Sequence, residues 1–275
     1  GGRWIYYNTT YPEPIDFIVT VHGYDIALTD EAGATHAVNN THEIAKEYSV
    51  KPLAIRSNLR HHHIGRRRYR NSFEGALAAT AYLVEDMSTL VISSDYSREA
   101  LRHFNHGSHW KTGPLRSSAD IKIIHYGEQY TRDEKLRQIA GNPLLRKHLR
   151  VCQHNLRPSF DLAGQYLNCG VCDKCLRTLI PIMQTTGLDD FECFENTKHL
   201  DRCINQIESV DNYAGMTYEK FCTIGVEPAI ERAIRALVWR SQFLNKRPWL
   251  GRKGKKLLAK LFKSWHSLKQ RLISE

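Results

Sequence analysis

The sequence predicts an α/β protein, a parallel sheet with helices on both faces, followed by a mainly helical extension stapled by a metal ion. Three observations carry that prediction. Short β-branched apolar runs alternate with helix-like segments up to about residue 150; the texture turns helical from Val151 onward; and Cys152, Cys169, Cys172 and Cys175 fall at metal-ligand spacing. Strands that are apolar throughout and separated by helices read as a parallel sheet covered on both sides.

The apolar runs are IDFIVTVHG from Ile15, PLAIR from Pro52, STLVISS from Ser88 and DIKIIHYG from Asp120. After the first, THEIAKEYSV reads as a helix with Thr41 as its cap. After the second, FEGALAATAYLVEDM from Phe73 carries apolar residues at helical spacing. The intervening RHHHIGRRRYR reads as a solvated loop, with a phosphate or nucleic-acid contact as its functional alternative. Beyond the fourth run, Thr131 followed by Glu134 forms a capping box that opens TRDEKLRQIAG, and Gly141 stops the helix. The expected domains are an α/β domain over 1–150, a zinc-binding helical region over 151–245 and a basic amphipathic tail over 246–275. Pro228 suits the first turn of a helix. The tail places Leu257, Leu258, Leu261, Phe262, Trp265, Leu268 and Leu272 on one face with lysines around it.

The cysteines are written NCGVCDKCLRT, with Cys152 upstream. Two thiolates at C-x-x-C spacing clamp one edge of a tetrahedral ion, the third extends the same turn, and Cys152 closes the shell. Structural zinc is the favoured reading; an iron–sulfur cluster, a redox pair and plain buried thiols are the alternatives.

Charge is segregated. Residues 231–275 hold 13 Lys or Arg against Glu231 and Glu275, a balance of +11 within a total of +10, so the rest of the chain is close to neutral. Basicity therefore points to what the tail touches: an anionic membrane or acidic partner through residues 250–275, or RNA. Seven cysteines without an evident disulfide framework suggest a reducing, cytoplasmic setting, with a peripheral contact to the inner membrane face through the tail. The first residue is not Met, and a fragment of a longer protein is one expectation.

In an open parallel sheet, ligands bind beyond the carboxyl ends of the strands. There lie Gly23 and Asp25 after the first run, and Asn58 with Arg60, suited to an anion or carbonyl, after the second. The Gly-, Ser- and Pro-rich stretch GSHWKTGPLRSS offers Ser108, His109 and Lys111 as substrate contacts from a loop over the sheet edge.

The order of strand, polar end, TRDEK helix, Cys152 after LRKHLR and then NCGVCDKCLRT resembles the PP-loop ATP pyrophosphatase superfamily, also called adenine nucleotide alpha hydrolase-like. Within it the chain is similar to the 7-cyano-7-deazaguanine synthases and related bacterial proteins, over roughly residues 15 to 188. The resemblance implies a Rossmann-like sheet of the HUP type and zinc on the four cysteines. It also implies ATP with magnesium as cofactor, and adenylation of a small-molecule or nucleobase substrate for amidation or ligation. Arg132 and Lys135 match polar positions at the start of a late helix that meets the nucleotide, and Gly23, Asp25, Asn58 and Arg60 would line the cofactor side. The chain lacks the S-G-G-x-D-S loop that holds pyrophosphate in such enzymes, and IDFIVTVHGYD matches their second strand. Two readings are open: the loop lies upstream, with Gly1 and Gly2 as its remnant, or the protein is an inactive relative that binds or scaffolds through its basic tail. An RNA-binding tRNA-modification relative is a third.

Overall fold

The computed structural model describes residues 10–11, 13–102, 106–152, 166–247, 249, 251, 254–262 and 264, with the backbone alone at 64, 66–68 and 70. The chain divides into two units, Gly1–Leu167 and Asn168–Glu275.

The first unit is mixed α/β. Strand β1 (Phe17–His22) is followed by α1 (Glu31–Glu47), β2 (Lys51–Arg56), α2 (His63–Ala81), β3 (Thr89–Ser93), β4 (Lys122–Tyr126), α3 (Arg132–Ile139) and α4 (Pro143–His148). All four expected strands form. Among the described residues they do not form one sheet: β1 pairs in parallel with β2, from Phe17 opposite Lys51 to His22 opposite Arg56, and β3 separately with β4, from Thr89 opposite Lys122. Each pair is covered by its own helix, Ile18 packing on Ile44 and Ala45, and Ile92 and Ile123 packing with Ala78 and Ala81. Val19, Val21, Leu90 and Val91 are only partly buried, although their strands are mostly apolar.

Two helices begin earlier than their apolar periodicity suggests. Asp30, whose side chain accepts from the Gly33 N–H at 2.9 Å, caps α1. Thr41 lies inside that helix, its hydroxyl donating to the Ala37 carbonyl and facing Thr20. The first half of α1 buries Ala34 and Ala37, small side chains that leave a faint sequence signal. In α2 the helix starts at His63, so the basic run read as a loop supplies its first turns. Length explains this: a 19-residue helix anchored by its buried second half can carry a polar first half. Helix α3 begins as expected, with Glu134 accepting from the Thr131 N–H at 2.8 Å.

The second unit is a helical bundle of α5 (Asp173–Thr186), α6 (Leu200–Gln206), α7 (Asn212–Ile224) and α8 (Pro228–Asn245). In its core Leu176, Leu179, Ile180, Ile182, Ile204, Tyr218, Phe221, Ile234 and Leu237 are fully buried. Arg240 enters this interior because its guanidinium answers two carbonyls at the end of α6, Ile207 at 2.6 Å and Glu208 at 2.9 Å. Residues 254–262 form a further helical run.

Candidate functional site

Cys172 is the N-cap of α5 and Cys175 lies in its first turn, so the helix start aims two thiols into one volume. Cys169 reaches the same place through a left-handed turn at Gly170, where φ is +71° and a Cβ would sit 1.8 Å from the Asn196 carbonyl oxygen. Only glycine fits there. The turn is fastened by Asn168, fully buried, whose side-chain amide donates to the Cys193 carbonyl at 3.0 Å while its backbone carbonyl accepts from the Glu195 N–H at 2.9 Å. Cys152 follows α4, which is tied to α1 by a 2.5 Å hydrogen bond between His148 Nδ1 and Asn40 Oδ1. Burial holds the His148 imidazole below its ordinary pKa, favouring the neutral ring.

All four thiols are buried, and their Sγ atoms lie within 4.8 Å of one another. Cys169 and Cys175 are 3.9 Å apart. Zn–S bonds of about 2.3 Å put tetrahedral sulfurs about 3.8 Å apart, so this edge has the dimension of a zinc shell. No disulfide consumes the thiols. The cluster can therefore hold a structural zinc ion, and four sulfur ligands leave no coordination position for a substrate.

Comparison with protein-family models, with curated proteins and with solved structures finds no match. The functional reading rests on the residues alone.

In the first unit the expected ligand residues fall into three places. Gly23 has φ +101°, and a Cβ there would meet the Ser57 carbonyl oxygen at 1.9 Å, so the loops after β1 and β2 touch backbone to backbone. Arg60 donates to the Tyr24 carbonyl at 2.7 Å and stacks 4.6 Å above the Tyr69 ring, which ties it to the β1 loop. Asp25 and Asn58 are exposed beside them. These four residues thus share the carboxyl end of the first strand pair. Burial, first, and the neighbouring Asp25 charge hold the Tyr69 phenol protonated.

At the second pair, Lys135 is buried and donates to the Ser94 carbonyl at 2.9 Å, while Arg132 is partly exposed at the first turn of α3. The Ser94 hydroxyl in turn donates to the Tyr96 carbonyl. The Lys135 amine is thereby engaged in fastening the end of β3.

The third place is the loop over 106–117, organised by a residue that the sequence patterns do not single out. Glu74, on α2, has no exposed surface. It accepts from the Ser108 hydroxyl at 3.1 Å, the His109 N–H at 3.1 Å and Arg116 at 3.3 Å. Burial raises the Glu74 pKa, and these donors pull against that rise. Ser108 also lies 3.1 Å from His125 Nε2. A hydroxyl beside an imidazole invites a nucleophile reading, but the geometry argues against it. Ser108 is 2% exposed, its proton goes to Glu74, and Glu128 stands 3.9 Å from His125 Nδ1, beyond hydrogen-bond reach. Burial pushes the His125 pKa down to about 4, so the ring is neutral near pH 7. The cluster anchors the loop and presents the residues just after Ser108: His109 stacked on Trp110 at 5.8 Å, with Arg98 and Lys111 within 4.8 and 5.1 Å of the indole. A signal for Glu74 exists in the sequence, since it shares a helical stripe with the buried Ala78 and Ala81.

Proposed function

We propose that this chain is a PP-loop-type adenylating protein, or the larger part of one, with zinc as a structural staple on Cys152, Cys169, Cys172 and Cys175. The reaction is attack of a substrate carboxylate or carbonyl oxygen on the α-phosphorus of ATP, release of pyrophosphate, and displacement of AMP by a nitrogen or sulfur nucleophile. Zinc contributes folding free energy, roughly 10 to 16 kcal/mol in zinc-finger peptides.

What supports the reading is the strand pairing. A doubly wound sheet reverses its order at a central strand. Without that strand two parallel pairs remain, each with its inner strand lacking a second neighbour. Among the described residues β1 with β2 and β3 with β4 are two such parallel pairs. The residues at the carboxyl ends of both pairs, Arg60 and Asn58 on one and Arg132 with the His109–Lys111 loop on the other, would then flank a nucleotide.

ATP and magnesium titrated calorimetrically into the protein expressed from its complete reading frame test the proposal. Saturable binding, with radiolabel exchange between pyrophosphate and ATP in the presence of substrate, is expected. No binding by the zinc-loaded protein would leave a degenerate relative.

A further inference from the structure

We propose that the outer face of the 254–262 helix, with Trp239 of α8 beside it, is a docking surface for an anionic lipid bilayer. This goes beyond the adenylation reading and stands without it. The inner face of that helix is already used: Ala259 is buried, and the Phe262 ring meets Trp239 at 5.3 Å and Phe243 at 5.1 Å, both edge-on. An amphipathic helix seated this way ordinarily turns polar residues outward. Here the outward positions one turn apart are Leu257 and Leu261, 62% and 57% exposed, and Trp239 is 55% exposed despite its ring contacts. The apolar arc is wider than the packing beneath it requires. Exposed Lys256 and Lys260 border the leucines.

Charge selects the partner. No Asp or Glu occurs between residues 232 and 274, and Glu231 is engaged by Arg235 at 2.6 Å. A second copy of the chain would bring like charges together across a symmetric contact, which disfavours self-association. RNA would use the lysines but gains nothing from exposed leucines, which have no stacking face. An anionic bilayer uses every element: leucines enter the acyl boundary, indole sits at the headgroup level, and lysines extend to phosphates. The contact is peripheral, since no helix among the described residues is long and apolar enough to cross a membrane.

The test is co-sedimentation of the full chain with vesicles of phosphatidylcholine alone or mixed with phosphatidylglycerol. Binding to the mixed vesicles only is expected, weakened at least tenfold when salt rises from about 0.1 to 0.5 M. Lys256→Gln with Lys260→Gln should lower the partition coefficient about fivefold per lysine. Leu257→Asp with Leu261→Asp should lower it at least tenfold, with zinc content and circular dichroism unchanged because both side chains face outward. Failure of the folded protein to bind mixed vesicles at low salt overturns the proposal. So does binding indifferent to the leucine pair, which would reduce the surface to a polyanion contact such as RNA. Self-association abolished by the leucine pair, without vesicle binding, would assign the face to a second copy.

Discussion

Glu74 is the residue whose removal should reveal most about the first unit. Replacing it by alanine leaves the His109 N–H without its acceptor and the Ser108 hydroxyl with only the neutral His125 ring, 3.1 Å away, to donate to, in a place where Ser108 is 2% exposed. Each orphaned buried donor costs about 1 to 3 kcal/mol. Arg116 keeps the Thr112 carbonyl at 2.6 Å and its side chain is 31% exposed, so its loss adds little. Against this stands the relief of a buried carboxylate whose pKa is already raised by burial. The balance for Glu74→Ala is a loss of about 1 to 3 kcal/mol. Glu74→Gln keeps one carbonyl oxygen and should lose about half as much. Urea denaturation of zinc-loaded protein measures both, and hydrogen exchange at residues 106–117 should rise in the alanine variant before global unfolding. A Glu74→Ala protein within about 0.5 kcal/mol of wild type, or a glutamine variant worse than alanine, would refute the idea that this carboxylate anchors the loop.

The geometry leads to three further expected outcomes. The His125 ring should titrate near pH 4 by NMR, and a midpoint near 6.5 would contradict its burial. Because its folded value lies below the unfolded one, His125 contributes stability that is complete above about pH 6.5 and lost as pH falls to about 4. That loss amounts to roughly 3 kcal/mol at about 1.4 kcal/mol per pKa unit. Glu74 has the opposite sign: its raised folded pKa favours the protein below the ordinary carboxylate range, a contribution lost as pH climbs through the folded value. His125→Gln should therefore flatten the acid limb of the stability profile, and an unchanged limb would remove His125 as its cause. Gly170→Ala combines a left-handed backbone with a Cβ 1.8 Å from the Asn196 oxygen and should cost about 2 to 4 kcal/mol; Gly141→Ala, whose Cβ would meet nothing within 4 Å and whose φ is not positive, should cost less than about 1. Equal melting temperatures for the two variants would sink the close-approach argument.

The parts legible in the sequence are those with local causes. Three cysteines within seven residues, a glycine between two of them, and the Thr131–Glu134 box each act over a single turn, and the structure assembles them where spacing indicated. Strand existence is legible for the same reason, since β-branched runs bounded by polar residues need no partner to be seen. Strand partnership is not, because pairing is a long-range choice that leaves no mark within either strand. Helix starts are hidden where packing overrides periodicity: α1 opens on Asp30 and small alanines, and α2 opens on a run of basic residues. Glu74 escapes notice because a carboxylate in an alanine-rich helix reads as a surface residue until its partners arrive from 34 to 42 positions away. The tail is half legible: its apolar stripe is visible, but that Phe262 packs inward while Leu257 and Leu261 remain exposed depends on α8.

The central claim is that Cys152, Cys169, Cys172 and Cys175 together hold one zinc ion that stabilises the fold. Metal analysis of the purified chain during titration of its thiols with a mercurial tests this most directly. One equivalent of zinc released per chain, cooperatively with four thiols and with loss of helical signal, is the expected result. Less than about half an equivalent, or iron with inorganic sulfide in its place, would contradict the account.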